Sequence, residues 1–332
     1  MADDKALPFG KHLASTDKKT RDKAVKSLAS FLAESTDAIP KSDMAKLWKG
    51  IFYCFWMSDK PLVQQALATD LAEIILNIPS AQGALDFLRG FWETIVREWK
   101  GIDQLRIDKY YLLIRRFVNA SFRLLAKNEW NEDLVTEYNS ILSERSGPLC
   151  PTDIRIPSSL TYHLADIYVE ELNKAAFISP FPLPAPVTTI ILPFLDVAAH
   201  TPTKTTHLRI QSALIEPLVE ALSTPPPPPT EDDEDDEPAR KRQKRDTTDS
   251  GEYAELLANA CSVDPRKEGV LSRPTLKKLV LQRIFDIASQ ETTRDSNRRK
   301  MYAVWKAYAD DEDEDEDGDG EQPPDGSETV FS

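Results

Sequence analysis

The residues of this chain that could perform catalytic or metal chemistry are few and scattered. They are four histidines and three cysteines: His12, His163, His200, His207, Cys54, Cys150 and Cys261. Their spacings match neither a zinc ribbon, nor two metal ligands on one helix, nor a disulfide framework. With only 11 glycines, the sequence also lacks phosphate-binding glycine loops and a nucleophile elbow. We therefore predict no catalytic residues, no metal site, no cofactor and no enzymatic activity.

Regularly spaced cations indicate a different chemistry, contact with nucleic acid. In a helix predicted from Asp103 to Lys127, apolar residues recur at about 100° per residue on one stripe. The basic residues fall on the opposite side: Arg106, Lys109, Arg116, Arg123 and Lys127. Such a stripe can follow a phosphate backbone, because each neutralised phosphate releases counterions. It fits equally well a solvated face whose cations pair with neighbouring helices, so the sequence leaves both interpretations open.

A dense aromatic segment precedes that helix, in a helix predicted to begin near Ser42 with the serine as its cap. Its apolar periodicity places Trp48, Phe52 and Phe55 in the core. Tyr53 and Trp56 point away from the centre of the apolar stripe. Since aromatic side chains are enriched at interfaces, these two are our candidates for partner contact.

Helical periodicity dominates the first 222 residues and predicts the elements that position these side chains. Predicted helices are Asp17–Glu34, a helix from Ser42, Pro61–Asn77, Ala81–Trp99, Asp103–Lys127, Asn131–Ser143, Ser158–Asn173, Val187–Ala199 and Lys204–Leu222. Helix pairs at about 40-residue spacing are typical of α-solenoids. The predicted fold is therefore all-α, a HEAT-like solenoid of antiparallel helix pairs, with a compact bundle as the alternative.

Composition divides the chain into four parts. We predict a helical-repeat domain over residues 1–222, a disordered linker rich in proline, acids and bases over 223–250, a C-terminal helical segment over 251–309 and a disordered acidic tail over 310–332. The helical segment is expected to dock on the main domain or on a partner. The formal net charge of -14 comes from two acidic runs, 231–237 and 310–321, outside which 38 acids face 41 Lys and Arg.

A basic cluster in the linker indicates the compartment. It consists of Arg240, Lys241, Arg242, Lys244 and Arg245, and it resembles a nuclear localisation signal. A basic segment that contacts RNA is the alternative interpretation. The sequence shows no apolar run of signal-peptide or membrane-span type, so we expect no membrane partner.

Two long motifs carry a resemblance to a known family. The run Leu47–Gln65, with its Trp-Met-Ser-Asp-Lys-Pro core, and the run Trp99–Arg116, with Gly-Ile-Asp-x-x-Arg-x-Asp-Lys-Tyr-Tyr, closely resemble the nucleolar ribosomal RNA processing protein 1 family. The resemblance covers roughly residues 7–222, and the segment Asn297–Tyr302 is similar to the C-terminal part of that family.

The resemblance implies a non-catalytic, helical-repeat scaffold of the nucleus and nucleolus. It would act in biogenesis of the large (60S) ribosomal subunit and be needed for pre-rRNA processing on the internal spacer 2 side. Implied partners are the large-subunit pre-ribosome, pre-rRNA, ribosomal proteins and other assembly factors, including Brix-domain and WD40-propeller proteins. The main alternative is a nuclear solenoid adaptor that binds proteins without direct RNA contact; a processing nuclease and an acidic chaperone are two further ones.

Overall fold

The computed structural model describes residues 9–35, 38–153, 155–224 and 252–309, and these are predominantly helical. The helices of the first half are α1 (Phe9–Leu13), α2 (Lys18–Glu34), α3 (Lys41–Trp56), α4 (Pro61–Asn77), α5 (Ala81–Glu98), α6 (Ile107–Lys127) and α7 (Glu132–Ser143). Those of the second half are α8 (Ser158–Ile178), α9 (Val187–Ile190), α10 (Leu192–His200), α11 (Lys204–Ile210), α12 (Glu216–Ser223), α13 (Ala254–Leu257), α14 (Pro265–Glu268), α15 (Arg273–Ser289) and α16 (Asp295–Ala309). The all-α prediction is confirmed. In the described ranges, no helix has the length and apolar character to span a membrane.

Helices from α2 to α8 pack on their second neighbours in the chain. Thus α2 contacts α4, α3 contacts α5, α4 contacts α6, α5 contacts α7 and α6 contacts α8. Even-numbered and odd-numbered helices therefore form two layers. Each pair buries its apolar faces against the next pair, as in helical-repeat proteins, and we interpret the arrangement as a short solenoid.

Polar caps fix several helix starts where the sequence predicts them. Asp17 before α2 and Asn131 before α7 each accept a hydrogen bond from the backbone N–H three residues on. The predicted cap at Ser42 is wrong, since α3 begins at Lys41 and is preceded by Pro40, which makes no side-chain cap. Proline, whose φ is already helical, fixes this start through its backbone geometry.

Four more predicted helices differ from the structure in extent. The helix predicted over Ser158–Asn173 continues to Ile178. The helix predicted from Asp103 begins at Ile107, because residues 103–106 close a turn in which the Arg106 N–H donates to the Asp103 carbonyl (3.0 Å). The helix predicted over 187–199 is interrupted between α9 and α10. Helices α11 and α12 are joined by a π-helical segment, Gln211–Ile215, just before Pro217. Proline has no N–H for the carbonyl four residues earlier, and its ring would clash with that carbonyl. The wider π-helical turn relieves this clash.

The core between α3, α5 and α6 is built on aromatic rings and one glycine. The Trp48 indole N–H donates to the Phe87 carbonyl (2.9 Å), and the Phe91 and Phe117 rings stack at 3.9 Å between centroids. A Cβ at Gly90 would lie 2.3 Å from the Trp48 ring. Glycine is therefore required where α5 crosses this tryptophan.

The C-terminal helical segment docks on the main helical stack. A two-stranded parallel pair, β1 (Ala185–Pro186) with β2 (Ala260–Cys261), joins the two parts. The buried Asn297 side chain donates to the carbonyls of Ala199 (3.2 Å) and Thr201 (2.8 Å) at the end of α10. Helix α15 also packs on α12, and α16 on α10. The C-terminal helical segment, which was expected to dock on the main domain or on a partner, thus packs on the main domain.

Parts of the sequence prediction lie outside the described residues. These are the acidic and basic linker beyond residue 224, the proposed localisation signal Arg240–Arg245 and the acidic tail from residue 310. The domain boundaries and these segments stay predictions.

Candidate RNA and partner contact surfaces

The two motifs that carry the family resemblance meet where α3 ends and α6 begins. The Tyr110 hydroxyl donates to the Phe52 carbonyl (3.2 Å). The Lys109 ammonium donates to the carbonyls of Trp56 (2.7 Å) and Ser58 (3.0 Å). Residues about fifty positions apart in sequence thus close one structural unit, which we call the α3/α6 corner.

A second cation completes the end of α3. The last carbonyls of a helix have no partner within it and form its negative pole. The buried Arg21 guanidinium donates to the Met57 carbonyl (3.4 Å) and, on α2's side, to those of Ser15 and Thr16 (both 2.9 Å). Arg21 and Lys109 therefore hold the turn between α3 and α4 from two sides, and much of the first motif is structural.

The prediction that Lys109 belongs to an exposed basic stripe is wrong. The sequence puts it on the solvated side of its helix, but the residue is 6% exposed and its ammonium is occupied by backbone carbonyls. Burial lowers the pKa of Lys109, and the Asp59 carboxylate at 3.7 Å opposes that shift. Lys109 is thus unable to reach a phosphate, because its charge neutralises the end of α3 instead.

Arg106 lies at the outer edge of the corner. Its guanidinium pairs with the Asp103 carboxylate and sits over the Trp56 ring, 4.9 Å from the ring centroid. The hydrogen bond from Arg106 lowers the pKa of Asp103, with a smaller Coulombic contribution from the same guanidinium. The positive charge of Arg106 is therefore largely compensated within the chain.

The other three candidate cations lie further along α6. Arg123 forms an ion pair with Glu73, and the Lys127 ammonium donates to the Leu76 carbonyl (3.2 Å). Arg116 is exposed, and its side chain forms no hydrogen bond or ion pair with the described residues. The stripe therefore contains one uncompensated guanidinium and one exposed ammonium, Arg116 and Lys127, beside an acid on α4.

Apolar side chains are exposed around the corner, where partner contact is predicted. Tyr53 is 40% exposed, and Trp56 is half-buried under Arg106. Two leucines that the sequence analysis did not single out are more exposed still, Leu62 at 79% and Leu105 at 93%. Leu62 lies within the first motif, in the first turn of α4, and Leu105 lies within the second, in the turn before α6. They enlarge the candidate partner surface.

A polar link between α6 and α8 also escaped the sequence analysis. Arg115 donates to Glu170 (2.8 Å) and to Glu171 (2.9 Å), whose side chain is 4% exposed. The Asn119 amide donates to the same Glu171 carboxylate (3.4 Å). An acid within the apolar run of α8 was the signal that could have revealed this pair. The link joins two neighbouring helices of the even-numbered layer and leaves Arg115 unavailable to RNA.

His163 packs against the second motif from α8. Its ring lies 4.2 Å from the Tyr111 ring, and its Nε2 is 3.2 Å from the Tyr111 carbonyl. Burial lowers the pKa of His163 to about 4, against a smaller opposing effect of that carbonyl. Burial also lowers the pKa of His207, whose Nδ1 lies 2.8 Å from the Ala198 carbonyl.

Because the pKa of His163 is lowered in the folded protein, we expect the folding stability to depend on pH. As the pH falls from 6.5 towards 4, the unfolded chain takes up a proton before the folded one, so folding stability is lost across this window. We expect His163 to contribute a loss of about 2 kcal/mol between pH 7 and pH 5. Urea unfolding of wild type and of His163→Gln should show that the free energy of unfolding decreases less in the variant between pH 7 and pH 5. Part of the decrease should remain in the variant, because the pKa of His207 is also lowered. Equal decreases would contradict this explanation; His12→Gln, at an exposed histidine, is the control.

Within the described ranges, no group of three or more His, Cys, Asp or Glu side chains is arranged to hold a metal ion.

Fold and surfaces together define an all-α protein of stacked helices, in which the cations of the α3/α6 corner cap the end of α3. A family model described as "Nucleolar protein, Nop52" matches residues 4–305, and the chain belongs to this family. The family recognised from the two motifs is thereby confirmed.

Curated relatives carry the name ribosomal RNA processing protein 1 homolog. The chain is 35% identical to homolog B of Homo sapiens over 218 residues, which cover 64% of this chain and 28% of that protein. It is 30% identical to homolog B of Mus musculus, covering 91% of this chain and 44% of that protein. It is 28% identical to homolog A of Homo sapiens, covering 92% of this chain and 70% of that protein. The chain thus spans less than half the length of either B homolog.

Proposed function

We propose that this chain is a non-catalytic nucleolar scaffold in biogenesis of the large (60S) ribosomal subunit, needed for pre-rRNA processing on the internal spacer 2 side. The observation that carries the proposal is the match of residues 4–305 to a nucleolar family whose curated relatives are named for ribosomal RNA processing. Proposed partners are the pre-ribosome, pre-rRNA, ribosomal proteins and assembly factors with Brix or WD40-propeller domains. The cluster Arg240–Arg245 is proposed to direct nuclear entry.

The exposed rim of the α3/α6 corner supports a protein-binding role beside this one. Tyr53 on α3, Leu62 at the start of α4 and Leu105 just before α6 are exposed, and Trp56 at the end of α3 is half-buried. Aromatic anchors of this kind dominate the affinity of many interfaces. An adaptor that binds only proteins would use this rim and lose nothing when the cations of α6 are reversed. That difference separates the two candidate functions.

For α6, the proposed RNA contact centres on Arg116 and Lys127, with Arg106 and Arg123 as compensated neighbours and Lys109 excluded by burial. Reversing both charges, Arg116→Glu with Lys127→Glu, is expected to reduce crosslinking of pre-rRNA to α6 by about tenfold, because each lost phosphate contact weakens binding at all sequences. The measurement is ultraviolet crosslinking in cells expressing a tagged full-length chain.

The matched control reverses Lys23 and Lys26, two exposed cations of α2, which gives the same change in charge on another helix. Thermal unfolding of both double variants should match that of wild type. If the α6 variant crosslinks to precursor RNA as strongly as the α2 control, α6 does not contact RNA. The adaptor function would then be favoured.

A further inference from the structure

The last two helices form a strongly basic hairpin. Residues 273–309, which comprise α15, α16 and their connection, contain nine Lys and Arg but three acids. This is a larger local excess of positive charge than on α6, where acids of α4 stand beside the cations. The hairpin's inner side packs on α10 and α12, so its outer side remains available.

Some of these cations have structural roles. Arg273 donates to the Thr224 carbonyl (2.9 Å), and Arg298 pairs with Asp295 while donating to carbonyls at the end of α15. Lys277 is buried. The remaining exposed cations form no side-chain hydrogen bond or ion pair with the described residues: Lys278, Arg294, Arg299 and Lys306.

Aromatic rings lie between these cations. The Phe285 ring on α15 is 5.2 Å from the Tyr302 ring and 5.1 Å from the Trp305 ring on α16, and all three residues are half-buried. Tyr302 lies three residues after Arg299 and four before Lys306, which puts the three on one face of α16. Lys278, seven residues before Phe285, shares a face of α15 with it. Cations thus flank a partly open aromatic cluster.

We infer that this outer face of α15 and α16 binds single-stranded RNA. Proteins that bind single strands combine cations that follow the backbone with aromatic rings on which bases stack. An acidic protein segment would use the cations but has no need of the rings, so the half-open cluster favours RNA. The inference rests on the proposed function and deepens it, because it adds a second RNA surface that neither motif indicates.

The test measures binding of a fluorescent oligouridine, about 15 nucleotides long, to the full chain at several salt concentrations. Replacing Arg299 and Lys306 together by glutamine is expected to weaken binding about tenfold at low salt. The same change should reduce the slope of log affinity against log salt by about 1.4, since each single-strand phosphate contact contributes about 0.7. Lys23→Gln with Lys26→Gln on α2 is the matched control and should change neither quantity.

A second variant tests the rings without altering charge. Tyr302→Leu keeps an apolar side chain against Phe285 and is expected to weaken RNA binding several-fold. If thermal unfolding shows that this variant is destabilised, Lys278→Gln tests the same face through its charge instead and is expected to reduce the salt slope by about 0.7. Unchanged RNA affinity in the Arg299/Lys306 variant overturns the inference. The inference is also overturned if an oligoglutamate peptide binds as tightly as oligouridine and its affinity is unchanged in Tyr302→Leu.

The inference and the proposed function fail in different measurements. If wild type binds oligouridine through Arg299 and Lys306 but does not copurify with large-subunit precursors, the RNA face stands and the ribosomal function falls. If copurification is retained while the double variant binds RNA normally, the function stands and this face does not bind RNA.

Discussion

Replacing Lys109 by methionine is expected to lower the free energy of unfolding by about 2–3 kcal/mol. Methionine keeps the apolar length of the side chain but removes the donors that satisfy the carbonyls of Trp56 and Ser58. Those carbonyls lie at the end of α3, where a cation also interacts favourably with the helix dipole. Urea unfolding followed by circular dichroism measures the difference.

Two comparisons make this result specific. Lys100→Met, at an exposed lysine in the connection between α5 and α6, should cost less than about 0.5 kcal/mol. Arg116→Met should likewise leave stability nearly unchanged while weakening RNA contact. Wild-type stability in Lys109→Met, combined with reduced RNA crosslinking, would show that Lys109 is a surface RNA contact and that its assignment as a helix cap is wrong.

Replacing Arg115 by methionine is expected to cost about 3 kcal/mol, because it leaves the buried carboxylate of Glu171 without its main counter-charge. Asn119 and Lys174 remain near that carboxylate, at 3.4 Å each, and limit the loss. The structural consequence should be local to α6 and α8, whose contact the pair secures. Chemical denaturation of the purified full chain provides the measurement.

A double-mutant cycle tests the cause. Adding Glu171→Leu to Arg115→Met should recover most of the loss, since an apolar pair of similar size is often as stable as a buried ion pair. As a control, Arg209→Met breaks the more exposed pair with Asp166 and should cost less than about 1 kcal/mol. Additive losses in the cycle would mean that Arg115 and Glu171 are not energetically coupled.

Much of the fold follows from local sequence signals. Pro61 at the first turn of α4, and the side-chain caps of Asp17 and Asn131, fix helix starts through the chain next to them, and these were predictable. The start of α6 was not, because residues 103–106 have helical composition but form a separate turn. The strand pair β1–β2 has two residues in each strand, too few for any periodicity.

The candidate sites were harder to predict because their partners are distant in sequence. Periodicity correctly places Tyr110 in the core, but it cannot show that the neighbouring Lys109 finds carbonyls about fifty residues earlier. Charge counting reveals Arg123 but not Glu73, its partner on α4. The aromatic cluster between α15 and α16 likewise depends on how two helices pair. Burial and pairing decide which cations stay available, and both are properties of the assembled stack.

The proposed function requires that this chain join large-subunit precursors and contact their RNA directly. The most direct test is affinity purification of the tagged full-length chain at low salt after ultraviolet crosslinking, with sequencing of the RNA and mapping of the crosslinked peptides. We expect enrichment of spacer 2 and large-subunit precursor sequence, with crosslinks on α6 near Arg116 and on the outer face of α15 and α16. Absence of large-subunit precursors from the purified material would contradict it.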